Sequence, residues 1–202
     1  MNKWKTGILF SVALLGALFA TAAAVQQEQH ALAEKLVRLH VVANSDSKED
    51  QELKLQVRDA VLAVTSSAGA SDGDPVEILE EMLPEIQKAA EECLKAHGSS
   101  EPVQVRLGME PYPTRAYENF ALPAGVYQSL RVIIGNGQGN NWWCVVFPSI
   151  CFRATAAELE EAAQVAGMTE GEIRLITEAS EGYILKFKTM EILEQIKEKF
   201  FR

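Results

Sequence analysis

Sixteen consecutive residues, Ile8–Ala23, carry no charge, and this run constrains the rest of the chain more than any other feature. A helix in a soluble domain keeps a polar face; this run keeps none. Lys3 and Lys5 precede it and the small residues Ala22, Ala23 and Ala24 follow, the order an export signal needs. Residues 1–24 are therefore predicted to be an export signal, cleaved or kept as an anchor. The apolar stretch is short of the roughly 20 residues that usually span a bilayer, which favours cleavage.

The 178 residues left after position 24 suit one domain with its own core. Loss of Lys3 and Lys5 leaves 17 basic against 28 acidic residues, a formal charge of −11. Such a surface repels nucleic acid and anionic lipid, both of which are bound through Lys and Arg. A protein or a neutral ligand fits better as partner, with no membrane contact once the signal is gone.

Residues 25–35 are polar and read as a tether or a short helix ahead of a domain at 36–202. Leu36–Ala43 is a β-branched run predicted to be a central strand, closed by Asn44-Ser45-Asp46. Ser47 with Asp50 forms a capping box for an amphipathic helix. Asp74-Pro75-Val76-Glu77 opens a second helix, which Pro84 should kink or split and His97-Gly98 should end. Val103–Leu107 reads as a strand and Met109–Thr114 as an irregular crossing. Gln128–Ile134 and Trp142–Phe147 read as strands joined by a long hairpin connection, GNGQGNN. Thr155 with Glu158 caps a third helix; a short strand at 184–187 and a helix at 190–200 close the chain. The sum is an α+β domain: a mixed sheet of about four to six strands with helices mainly on one face.

Candidate chemistry is sparse. The glycine run at 135–139 feeds a strand and lacks the lysine of a phosphate-binding loop, so it reads as a flexible tip. His40 with Asp46 and Asp50 is the best candidate catalytic or metal cluster, yet turn and capping chemistry already explain both acids. A Cys144–His40 dyad would imitate a cysteine hydrolase, but Cys144 sits within a strand among bulky neighbours. No metal-ligand spacing or cofactor motif is present, and no catalytic residue is assigned. Cys93 falls on a helical apolar stripe and reads as a buried, dispensable thiol. Cys144 and Cys151 would lie roughly 23 Å apart in an extended strand. A disulfide needs Cα atoms within about 7 Å, so bonding them requires a reversal near Pro148. Adjacent Trp142 and Trp143 must face opposite sides of a strand. In a sheet covered on one side, one of them reaches solvent as a contact anchor; a second small core, or a cover from residues 109–120, is the alternative.

Two stretches carry a resemblance. Residues 38–59, RLHVVANSDSKEDQELKLQVRD, and 118–152, ENFALPAGVYQSLRVIIGNGQGNNWWCVVFPSICF, resemble the two signature blocks of the stage II sporulation protein R family, in its order and spacing. The resemblance covers most of 36–152. It implies a non-enzymatic signalling protein of endospore-forming Gram-positive bacteria. Such a protein is made in the forespore and exported into the space between the two membranes. There it triggers a membrane-embedded aspartic protease of the mother cell, which processes the sigma-E precursor. The expected contact patch joins Trp142, Trp143, Asn44 and Asp46. An envelope hydrolase using His40 with Asp46 or Cys144, and a passive extracytoplasmic binding domain, are the alternatives.

Overall fold

The computed structural model describes residues 29–66, 73–117, 119–150 and 156–177, with isolated positions 4, 10, 12, 13, 16 and 27. The export segment as a unit, Cys151, and the strand and helix expected at 184–187 and 190–200 lie outside the described residues. Six strands are described: β1 Val37–Val42, β2 Val103–Tyr112, β3 Arg115–Ala116, β4 Ala121–Leu122, β5 Gly125–Ile134 and β6 Asn141–Phe147. Besides the helical stretch at 29–34, the described helices are α1 Lys48–Thr65, α2 Pro75–Ala96, α3 Ala156–Val165 and α4 Glu170–Thr177.

The main sheet has four strands in the order β2-β5-β1-β6, and β3 pairs with β4 in a small second sheet. β1 runs parallel to β5 and antiparallel to β6, while β2 and β5 are antiparallel. The mixed α+β architecture expected from the element order is the one observed. All six residues of β1 are buried, as its apolar run and central place require.

Ser47 caps α1, its Oγ accepting from the Asp50 amide at 3.1 Å. Asp74 caps α2 through the Val76 amide at 2.8 Å, with Pro75 in the first turn. Pro84 does not split α2, which runs unbroken to Ala96. Pro84 lies on the exposed face, where the Glu80 carbonyl it frees meets water, while Leu79, Ile86, Ala90 and Leu94 bury the other face.

One apolar cluster fills the space between α1, α2 and the sheet, built on Val57, Val61, Leu79, Ile86, Leu39, Val41, Leu130 and Val132. The opposite face is not bare. Leu32, Leu36, Tyr112, Tyr127, Val145, Leu159 and Ile176 form a second cluster there, bringing in α3, α4 and the β3–β4 sheet. Residues 29–34 are helical, and Leu32 and Ala33 are buried, so this part of the expected tether is docked on the domain.

Two further expectations are corrected. GNGQGNN does not close a hairpin: β5 and β6 do not pair, because β1 lies between them. The connection has to cross the C-terminal end of β1. The Met109–Thr114 segment is also not irregular as far as Tyr112, since β2 continues through it. β2 is an edge strand, and the Val105 amide points off that edge to Gln87 Oε1 at 2.9 Å. Pro111 has the same parity, so its missing N–H costs the ladder nothing.

Candidate functional site

The site begins with parity. On β1, Leu39 and Val41 face the long helices, so Arg38 and His40 face the other way. Glu110 and Tyr112 on β2, Ser129 and Arg131 on β5, and Asn141 and Trp143 at the start of β6 share that second face. Their side chains form one polar network.

Glu110 is its hub. Its Oε2 accepts from Ser129 Oγ at 2.9 Å and from His40 Nδ1 at 3.0 Å, and its Oε1 accepts from Arg131 at 2.9 Å. Burial alone pushes this carboxyl's pKa up. The hydrogen bonds from His40 and Ser129 and the charges of His40 and Arg131 outweigh it and hold Glu110 below the usual carboxylate range. His40 Nε2 lies 3.0 Å from Asn141 Oδ1. An amide side chain can offer its oxygen to a protonated ring nitrogen or its nitrogen to a bare one. Tyr112 Oη lies 2.6 Å from Ser129 Oγ, which extends the chain inward. Burial pushes the Tyr112 and Tyr127 phenols far above their ordinary range, so both stay neutral.

Arg38 is fully buried beside this network. Its guanidinium stands over the Tyr112 ring at 4.3 Å and the Tyr127 ring at 5.1 Å. It donates to Tyr117 Oη at 2.7 Å and to the Cys144 carbonyl at 3.1 Å. Among the described residues no carboxylate pairs with it; aromatic faces and oxygens hold the cation instead.

Adjacent to the network, Asn44-Ser45-Asp46 and the 135–140 connection form one cap over the end of β1. Asn44 Oδ1 accepts from the Asn136 amide at 2.9 Å, and Asp46 Oδ1 accepts from the Asn140 amide at 2.6 Å. Gln138 and Gly139 donate their amides to the Asn44 and Ala43 carbonyls. Lys54 closes the cap on the Asn140 carbonyl at 2.9 Å. Gly139 is required here, because a Cβ would run into the Ser45 carbonyl. The expected flexible tip is thus a tied loop. Asn44 and Asp46, placed beside it by the sequence reading, are the residues that tie it.

Trp142 and Trp143 do face opposite sides, as alternation requires, but neither is exposed. Trp142 packs on the helix-side cluster with Arg58 over its ring at 4.4 Å. Trp143 packs on the second cluster beside His40, with Arg115 over its ring at 3.8 Å. The alternative of a second small core holds instead of solvent exposure, with Tyr112, Tyr117 and Phe120 from the 109–120 stretch in that cluster.

His40 does not assemble with Asp46 or Asp50. Its partners are Glu110 and Asn141, whereas Asp50 receives the Asn44 amide and the Ser45 hydroxyl within the cap. The expected Cys144–His40 dyad does not form. Cys144 belongs to the helix-side cluster, on the face opposite His40, and is disulfide-bonded. Cys151, its expected partner, lies outside the described residues. Cys93 carries a free thiol and is half-buried rather than buried.

Glu110, Ser129, Arg131, Arg38 and Tyr112 escaped the sequence reading. The usable signal was alternation: Arg38 and His40, Glu110 and Tyr112, and Ser129 and Arg131 are each two apart, so each pair shares one strand face.

A family model described as Stage II sporulation protein R matches residues 33–157. The stage II sporulation protein R of Bacillus subtilis (strain 168) is 36% identical over 149 residues, covering 72% of this chain. That alignment takes in 66% of the relative, so the chain spans just under two thirds of its length. No solved structure matches. The cap and the Glu110 network both fall within the matched span, and the chain belongs to the stage II sporulation protein R family, a family of sporulation proteins.

Proposed function

We propose that this chain is an exported signal of endospore formation. It leaves the forespore, meets the extracytoplasmic portion of a membrane-embedded aspartic protease of the mother cell, and triggers processing of the sigma-E precursor. The observation that carries this reading is the cap. Asn136, Gln138 and Asn140 are exposed on a loop whose shape Asn44, Asp46 and Lys54 hold. A contact surface fixed before binding loses little freedom on association, so more of its contact energy appears as affinity. Trp142 and Trp143 follow the cap along β6 and pack on the two core clusters, one on each face. A receptor that binds the cap more tightly in its active state shifts towards activity by the difference of the two affinities.

The polar network favours a ligand over a hydrolase. Glu110 stands between Ser129 and His40, so the hydroxyl faces a carboxylate and a phenol rather than the imidazole that would take its proton. The space between the two membranes is the proposed location. Among the described residues no helix is long and apolar enough to cross a membrane.

The test is precursor processing in sporulating cells that carry Asn136→Arg or Gln138→Arg. Both side chains are exposed, so folding and export should persist while processing drops. Full processing by both variants would move the contact surface elsewhere. Trp142→Ala and Trp143→Ala should instead lower stability first, because each ring packs on a core cluster.

A further inference from the structure

A row of side chains crosses the whole sheet on the face away from α1 and α2. The register sets Trp143 of β6 beside His40 of β1, His40 beside Arg131 of β5, and Arg131 beside Arg106 of β2. Strands lie about 4.8 Å apart, so the row is about 14 Å long.

The row is cationic on a chain whose formal charge is −9. Arg106 is exposed, and among the described residues no carboxylate pairs with it. It sits directly opposite Arg131, an arrangement that destabilises a sheet unless something offsets the repulsion. Glu110, the carboxylate that pairs with Arg131, is already shared with His40 and Ser129. The Arg131 side chain is 30% exposed, although its Nε is buried and without a hydrogen-bond partner. Arg115 adds a further cation over Trp143 at the opposite end of the row.

The floor beside the two arginines is clear. Gly108 lies opposite Ser129 and between Arg106 and Glu110 on β2, and a Cβ there would meet nothing within 4 Å. The chain has acidic residues in surplus, yet this strip keeps adjacent guanidinium groups short of partners. That is the electrostatic complement of an acidic ligand.

We propose that the open end of this row, Arg106 with Arg131, binds an acidic segment of a partner protein; His40 and Trp143, at the other end, are covered by the second cluster. A carboxylate of the segment sits on Arg106, whose planar guanidinium can take it in paired hydrogen bonds, beside the charge of Arg131. The proposal does not depend on the protease reading, because any protein supplying such a segment would satisfy it.

The experiment uses the purified full-length chain and a fluorescent hexa-aspartate peptide, with hexa-asparagine and inorganic polyphosphate as comparators. Hexa-aspartate should bind and hexa-asparagine should not, and binding should weaken as salt brings the Debye length down to about 8 Å. Arg106→Gln should reduce affinity about tenfold with a melting temperature unchanged or raised, since it also relieves the repulsion from Arg131. Arg106→Lys should restore only part of it, since a lysine cannot form the paired bonds. Arg174→Gln, on the exposed side of α4, should have no effect. Equal affinity for polyphosphate would overturn the peptide assignment in favour of a general polyanion surface. Absence of hexa-aspartate binding, or an Arg106→Gln variant that binds like Arg174→Gln, would overturn the site.

Discussion

Truncating Glu110 to alanine removes the hub of the network and leaves its partners behind. Arg131 loses its only ion pair among the described residues, and His40 and Ser129 each lose an acceptor. Hydrogen bonds to charged groups contribute about 1.5–3 kcal/mol each, and breaking one side of a buried pair costs about 3–5 kcal/mol. The Arg131 side chain is 30% exposed and recovers some hydration, which places the loss near the lower bound. About 3 kcal/mol is expected for Glu110→Ala, a melting-temperature drop of roughly 6–12 °C for a domain of this size. Glu110→Gln should cost less, since the amide oxygen still accepts from Ser129. Circular dichroism of the purified chain under heat and urea reads both. A double-mutant cycle with Arg131→Met should show coupling of at least about 1.5 kcal/mol, because removing both partners leaves neither charge stranded. A drop under about 2 °C for Glu110→Ala, or additive losses in the cycle, would refute the reasoning.

Acid should unfold the domain partly through two carboxylates. Glu172 behaves like Glu110: burial raises its pKa, but bonds from Lys35 and Thr169 outweigh this and lower it overall. A depressed folded pKa gives stability that is complete above the unfolded value of about 4.3 and lost as pH falls through the folded value. Glu110→Gln with Glu172→Gln should therefore flatten the acid limb of the stability profile. Gly139→Ala should destabilise by about 1–3 kcal/mol in urea, because the new methyl meets the Ser45 carbonyl; an unchanged midpoint would show that the cap yields freely. In mass spectrometry of the exported protein, Cys144 should be found bonded to Cys151. Cys93 should label slowly, since burial and then the Asp59 charge push its thiol pKa up. A bond involving Cys93 would contradict this.

Local chemistry was legible wherever a short stretch decided the outcome. Ser47, Asp74 with Pro75, and Gly98 with its positive φ of 73° mark helix ends in the sequence and in the structure alike. Val37–Val42 announced a central strand by composition. Pairing order was not legible: two strands joined by a glycine-rich loop look like a hairpin, and nothing local reveals that β1 enters between them. The same long-range fact makes the loop cross β1 and meet Asn44 and Asp46. Those two residues were singled out for their turn chemistry, and the crossing turns them into ties for the loop. The Glu110 network was hidden for a related reason, because its members lie on four strands that only the register brings into one layer.

The most direct measurement of the central claim is cleavage of the sigma-E precursor in a reconstituted system. Membranes bearing the protease would be mixed with precursor on the cytoplasmic side and purified exported domain on the other. The account predicts cleavage only when the domain is present, loss of cleavage with Gln138→Arg, and no cleavage when the domain is added to precursor without protease. Cleavage at the same rate without the domain, or cleavage by the domain alone, would contradict it.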